Sequence, residues 1–397
     1  MRILLVSQYF YPAWDYGGPV AAVSSIARRL ADSGNQVAVL TTSRSSSRLA
    51  HFSPVPDEVY LPGVRVFRPR PVAHYRKLSF NPGTLDFCIR HVRDYDVIHI
   101  FGLYDLFGAI AYVAARFWSV PYVLEPLGMY VPMLRGYRKK RLYQAIIGDR
   151  LLRQADYIIA TSEQERAQLM NVPDVDTERL VVRHNGVEYD EIVGTAQQGN
   201  FRARNGLGQE DRVILFLGRL APVKHLELLM EAFAGLPIRG LRLVLVGPET
   251  ESGYTTALHS LAEELGIAER VDFHDTVSGQ EKQELLADAD IVVLSSYTES
   301  FGTSAAEAIV AGVPVVVTDG CGIAQIVRDR VGLVSGQSPE LFRQALLQLL
   351  TDGDLYSRFK HNCTEVGKEL AWDDPMKVMQ RVYAGAAKRD KAREENG

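Results

Sequence analysis

The stretch from Ile291 to Pro314 constrains the fold more than any other part of the chain. Its apolar run, Ile291-Val292-Val293-Leu294, reads as a buried strand ending at Ser295. A loop of small and polar residues follows, and Thr303 to Ala311 then has the pattern of a helix closed by Gly312 and Pro314. A strand that passes through such a loop into a helix turns free backbone N–H groups and the positive end of the helix dipole toward the loop, which makes an anion site. Gly302 lets backbone approach a phosphate closely. Glu299 stands beyond the strand's carboxyl end and Glu307 inside the helix. Two carboxylates beside an anion site suit a ligand that carries hydroxyls as well as phosphates, such as a ribose and a sugar. A plainer reading stands beside this one. Ser304-Ala305-Ala306-Glu307 is a capping box in which Glu307 returns to the cap N–H, and Glu299 is then a solvated loop residue.

The same pattern recurs along the chain. Ile3 to Val6 is a strand; a loop with Pro12, Trp14, Gly17, Gly18 and Pro19 follows. A helix carries Val20, Val23, Ile26, Ala27 and Leu30, ends near Gly34, and Val37 to Leu40 completes a β-loop-α-β unit. Gly17-Gly18 lets backbone approach a diphosphate, or is an ordinary helix-start turn. Val97 to Leu103, Tyr122 to Leu124 and Ala155 to Glu163 continue the series. Gln197 to Asp211 is polar and glycine-rich without periodicity, the composition of an interdomain linker. A second series opens with Val213 to Leu217, followed by Gly218-Arg219, Lys224 and a helix from Leu226. Leu243 to Val246, Val271 to Asp275 and Val315 to Thr318 are its further strands. Open α/β sheets bind ligands beyond the carboxyl ends of their strands, where Arg219 and Lys224 stand. There the planar fork of Arg and the point charge of Lys would neutralise a diphosphate leaving group. As isolated residues they are surface charges.

Two α/β series account for a length of 397 residues, which is too long for one ordinary core. With 47% hydrophobic and 23% charged residues the composition is that of a soluble globular protein, and a net charge of −4 gives no sign of a nucleic-acid partner. Three scattered cysteines (Cys88, Cys321 and Cys363) imply neither a disulfide framework nor a metal site and fit a reducing cytosol. Met1 to Val6 is too short an apolar run for a signal peptide, and no apolar stretch is long enough to span a membrane. Arg135 to Arg153 carries Arg138-Lys139-Lys140-Arg141 with Leu142, Ile146 and Leu151. This is either a solvated charge run or a basic amphipathic helix that makes peripheral contact with the cytoplasmic membrane face. Asp94-Tyr95-Asp96 and Asp288-Ala289-Asp290 precede strands instead of following them, so they read as structural turns and no metal is required.

Glu299, Phe301-Gly302 and Glu307 resemble the Glu-x7-Glu signature of family 4 glycosyltransferases, retaining enzymes of the GT-B fold. Gly218-Arg219 with Lys224 resembles that family's phosphate clamp, Gly17-Gly18 its glycine pair, and Asn185-Gly186-Val187 the turn that closes its first domain. The landmarks run in family order from Gly17 to Trp372. The resemblance implies an α/β fold of two facing Rossmann-like domains with parallel sheets and a cleft between them. Residues 1–196 would be the acceptor-side domain, 197–372 the nucleotide-sugar domain, and 373–397 a helix crossing back to the first, with a tail frayed from Lys388. It implies retaining transfer of a hexose from a UDP- or GDP-linked sugar to a hydroxyl of a glycan or lipid-linked acceptor, in polysaccharide or glycolipid synthesis, without a cofactor. Gly17, Gly18, Gly218, Arg219, Lys224, Gly302 and Thr303 would hold the nucleotide diphosphate, Glu307 the ribose, and Glu299, Ser300 and Phe301 the donor sugar. Arg219, Lys224 and Glu299 would carry catalysis. Phe101 and Leu127 stand where relatives often have histidine, which leaves His99 and Glu125 as acceptor-side candidates; His99 is equally a hydrogen-bonded core residue. Asp275 stands where relatives often have a glycine facing the base, and Gln325 replaces a family glutamate. The rival readings are a sugar-nucleotide epimerase of the same architecture and a non-catalytic nucleotide-binding or scaffold relative.

Overall fold

The computed structural model describes residues 1–13, 17–42, 61–69, 73–75, 78–80, 82–130, 141–194, 198–208 and 210–394. The chain forms two compact units, one of Met1–His184 with Pro375–Gly397 and the other of Asn185–Asp374.

In the first unit the apolar runs become a seven-stranded parallel sheet in the order β3-β2-β1-β6-β7-β8-β9. The strands are β1 (Arg2–Ser7), β2 (Gln36–Leu40), β3 (Val64–Phe67), β6 (Val97–Phe101), β7 (Tyr122–Glu125), β8 (Tyr157–Ala160) and β9 (Leu180–Val182), with a short antiparallel pair, β4 (Ala73–Tyr75) and β5 (Leu78–Phe80), apart from the sheet. Strands buried on both faces are continuous apolar runs. Leu4, Val6, Ile98, Ile100 and Leu124 share one core with Phe107, Ala111 and Ala115 of the helix Leu106–Phe117. His99 and Glu125, of opposite parity, are also fully buried, and Tyr383 of the last helix hydrogen-bonds His99 there.

The second unit has a six-stranded sheet in the order β12-β11-β10-β13-β14-β15. Its strands are β10 (Arg212–Leu217), β11 (Leu241–Val246), β12 (Val271–His274), β13 (Ile291–Leu294), β14 (Val315–Thr318) and β15 (Gly332–Ser335). All its ladders are parallel. Strand order reverses between β10 and β13, the topological switch point at which doubly wound sheets bind ligands. Pairing there stops at Leu215↔Val292, although β10 runs on to Leu217 and β13 to Leu294. The carboxyl ends thus run on unpaired with each other at the place where such sheets form their binding crevice.

Three expectations change. The stretch expected to be a linker contains the helix Asn200–Arg204, and Phe201 is buried in the second unit's core. Asp288 accepts the N–H groups of Gly199 at 2.5 Å and Arg202 at 3.0 Å, and the Arg202 guanidinium reaches Asp290 at 2.9 Å. The boundary accordingly falls at His184/Asn185 and not at 196/197. Asp94-Tyr-Asp96 is also a structural turn, with Asp96 accepting the Arg2 N–H at 2.7 Å. The last helix, Asp373–Glu394, joins the first unit from Pro375, but continues past Lys388 to Glu394 instead of fraying there. Arg138, Lys139 and Lys140 lie outside the described residues; beyond Arg141 the chain is π-helical over Gln144–Gly148. Among the described residues no helix is long and apolar enough to cross a membrane.

Candidate active site

The crevice in the second unit is built from backbone first. Gly218, directly after β10, donates its N–H to Val246 O at 2.9 Å. Gly247 faces it with φ +141°, and any Cβ at Gly247 would collide with the Gly218 carbonyl. Only glycine supplies that torsion and that clearance. Beyond Gly218, Leu220 N–H donates to Pro248 O at 2.9 Å, so the pairing outlasts the sheet and fixes where Arg219 leaves it. Arg219 is half-buried and forms no ion pair among the described residues. A 3-10 turn over Pro222–Lys224 then leads into the helix Leu226–Ala234 through His225, which holds φ +51°.

Two stitches join this loop to the one after β13. Ser295 Oγ donates to Lys224 O at 2.8 Å, and Tyr297 N–H donates to Val223 O at 3.0 Å. The His225 ring stacks on Tyr297 at 3.7 Å between centroids and 15° between planes. On its other side the β13 loop is sewn to the β14 loop. Glu299 N–H donates to Gly320 O at 3.0 Å, Gly322 N–H to Glu299 O at 2.8 Å and Ile323 N–H to Phe301 O at 2.7 Å. Glu299 is thus fixed by backbone, and its carboxylate Oε2 pairs with Lys224 Nζ.

Gly302, at φ +113°, caps the helix Thr303–Val310 without any side-chain hydrogen bond. Its first N–H groups remain open at the positive end of the dipole. The plainer alternative, a capping box at Ser304, does not form, because Gly302 is the cap residue; Glu307 instead accepts from Lys282 Nζ at 2.8 Å. Lys282 comes from the helix Gly279–Asp288, and Glu307 beside it holds its ammonium above the usual lysine range, with burial opposing and Glu191 and Glu188 adding to the rise. Phe301, expected at the donor sugar, is 1% exposed in the unit's core and offers only backbone. The thiols of Cys88, Cys321 and Cys363 are buried, and burial pushes each up to about 12, which keeps them from acting as thiolates.

In the first unit Gly17, at φ +70°, caps the helix Gly18–Asp32, again without a side-chain bond. His99 and Glu125 are wholly enclosed, so neither presents an atom to a substrate in this structure. His99 Nδ1 lies 2.8 Å from Tyr383 Oη, and Glu125 Oε1 accepts from Arg183 at 2.5 Å. Phe101 packs on His99 at 3.9 Å, and Leu127 holds φ +58° ahead of Gly128, whose N–H donates to the buried Glu165 at 2.5 Å.

Two family models cover most of the chain, "Glycosyl transferase 4-like domain" over residues 17–186 and "Glycosyl transferases group 1" over 197–366. A protein of Xylanimonas cellulosilytica named D-inositol 3-phosphate glycosyltransferase is 31% identical over 96% of this chain and 94% of its own length. This chain belongs to the family 4 glycosyltransferases. The Anabaena protein HepE, solved with UDP and glucose, superposes with a TM-score of 0.78 over 97% of this chain and 99% of that one, at 20% identity. Sucrose-phosphate synthase from Thermosynechococcus elongatus gives 0.77 over 97% and 98%, at 19%. Both share the GT-B fold of this glycosyltransferase.

In this glycosyltransferase, Gly218, Arg219, Lys224, Glu299, Ser300, Gly302, Thr303 and Glu307 all lie in the loops and helix starts beyond β10 and β13 of the second unit, whereas Gly17 and Gly18 belong to the first. Sequence reasoning missed Lys282, Arg183, Glu165 and Tyr383. Ser162-Glu163-Gln164-Glu165 was a legible helix-start signal, and Ser162 does cap its helix. Lys282, Arg183 and Tyr383 had none, since tertiary packing alone brings them to their partners.

Proposed function

We propose that this glycosyltransferase moves a hexose, with retention, from a UDP- or GDP-linked donor to an acceptor hydroxyl. The observation that carries the proposal is the crevice beyond β10 and β13, where a helix start without a side-chain cap, an arginine with no ion pair among the described residues and two lysine-held carboxylates share one switch point. Arg219, Lys224 and the N–H groups at Gly302-Thr303 would hold the diphosphate, Glu307 the ribose, and Glu299 with Ser300 the sugar hydroxyls. As the bond from the anomeric carbon to the phosphate oxygen breaks, charge grows on the leaving diphosphate, and preorganised donors aimed there lower the barrier. The acceptor oxygen bonds to the same face of the carbon, and its proton passes to the departing phosphate oxygen. The cations of this step are side chains, and Asp96, Asp288 and Asp290 bind backbone or arginine, so transfer should survive EDTA.

The acceptor we infer is a glycan or lipid-linked hydroxyl. Relatives named D-inositol 3-phosphate glycosyltransferase favour a second reading, a phosphorylated polyol. The first test is thermal shift with UDP, GDP and ADP, since a ligand at 100 times its Kd stabilises by about 2.7 kcal/mol. One nucleotide should raise the wild-type Tm, with the shift lost in Glu307→Ala and Arg219→Ala. No shift from a folded protein would sink the reading in favour of a scaffold. Product analysis of the matching nucleotide sugar against glycan, lipid-linked and inositol phosphate acceptors separates transfer from epimerisation and the two acceptor readings from each other.

A further inference from the structure

Glu307 is held in an asymmetric way. Its Oε1 accepts from Lys282 Nζ at 2.8 Å, while Oε2 has no protein donor among the described residues and is not sealed from solvent. Glu299 repeats the arrangement, with Oε2 on Lys224 and Oε1 open. Each carboxylate of the signature is thus pinned through one oxygen by a lysine from another segment. Side-chain exposures of 29% for Lys282 and 17% for Glu307 make their pair only partly buried, and such pairs add little to stability. A stability role does not explain it. Its place does: Glu307 stands in the helix that follows the open start at Gly302, and Glu191 and Glu188 add to the pull on the same ammonium.

We propose that Lys282 is a positioning residue for the nucleotide, pinning Glu307 through Oε1 so that Oε2 faces the ribose hydroxyls. The inference rests on the reading of Glu307 as the ribose ligand. A lysine that acts only through Glu307 should lose its effect once Glu307 cannot accept as a carboxylate, and it should matter most when a 2′-hydroxyl is present.

Isothermal titration of UDP, GDP and ADP, and of their 2′-deoxy forms, into wild type, Lys282→Met, Lys282→Arg, Glu307→Gln and the double variant tests both parts. For the nucleotide that binds, Lys282→Met should weaken Kd about tenfold and Lys282→Arg restore most of it, a tenfold change corresponding to about 1.4 kcal/mol. The double variant should bind within about twofold of Glu307→Gln, as coupled residues are non-additive. The ribose over deoxyribose preference of wild type should shrink in Lys282→Met. Additive losses would overturn the inference by showing that Lys282 meets the ligand itself, and so would wild-type affinity in Lys282→Met when Glu307→Gln is weakened. Wild-type affinity in Glu307→Gln, or no nucleotide bound by the wild type, would sink the underlying reading and the inference with it. A thermal melt of each variant checks that the fold is kept, and the ribose preference of Lys282→Arg provides a second readout should Lys282→Met unfold.

Discussion

Gly302 resists replacement for two separate reasons. Its φ of +113° is strained for any residue with a side chain, and an added Cβ would lie 3.0 Å from both Ile323 Cγ2 and Leu294 Cδ1. Gly302→Ala should therefore cost about 2 kcal/mol in urea denaturation and weaken nucleotide binding, because relief can come only by shifting the helix start. In the first unit His99 Nε2 and Glu125 Oε2 lie 3.5 Å apart, both buried, and residue chemistry dictates a pH response there. Burial holds His99 well below its usual 6.5, the Arg183 charge adding to this, so folding keeps it neutral; that contribution is present above 6.5 and is lost on acidification. Burial pushes Glu125 from 4.5 up to about 7, with Arg183 pulling the other way. Its contribution is full below 4.5 and is lost as pH rises through 7. The two oppose each other between about 4.5 and 6.5. Tm against pH should thus be flatter there in wild type than in Glu125→Gln, which should lose stability faster on acidification, or in His99→Gln, which should gain it. Parallel profiles for all three would refute these opposed contributions.

Among the elements, the turn after β10 is two backbones packed against each other. Gly247→Ala would press a methyl into the Gly218 carbonyl at a torsion that glycine alone adopts readily, so it should destabilise by at least about 2 kcal/mol and displace Arg219. Denaturation and nucleotide titration of the one variant should both report the loss. Elements of this kind were legible in the sequence: apolar runs followed by a glycine give strands and turns by local rules, and Gly218 and Gly247 directly follow such runs, with Gly302 in the loop beyond a third. The helix Asn200–Arg204 was not legible, since its polar, glycine-rich sequence is ordered by Asp288 and Asp290, which are distant in sequence. The alternative capping box fails because Gly302 caps a helix that starts at Thr303, ahead of Ser304, which leaves Glu307 for a lysine no local pattern could supply.

At the scale of the molecule, the second unit is an unbroken stretch while the first is made of two pieces. The chain crosses into and out of the second unit at neighbouring points: Val187 N–H donates to Leu370 O at 2.9 Å, and a Cβ at Gly186 would strike the Trp372 ring. The returning helix closes the first unit, with Tyr383 Oη on His99 and Gly385 so close to Tyr157 that a Cβ would lie 2.5 Å from its Oη. Removing residues 375–397 should leave the second unit resistant to limited proteolysis and the first one cleaved, because His99, Glu125 and Arg183 would lose their cover; equal resistance of both would refute this. On the ribosome, that division sets an order of completion. The second unit has its whole sequence available before the helix Asp373–Glu394 is complete, whereas the first, begun earlier, must wait for that helix. Throughout elongation its charged interior lacks a roof, and the nascent N-terminal half is the part that most needs shelter.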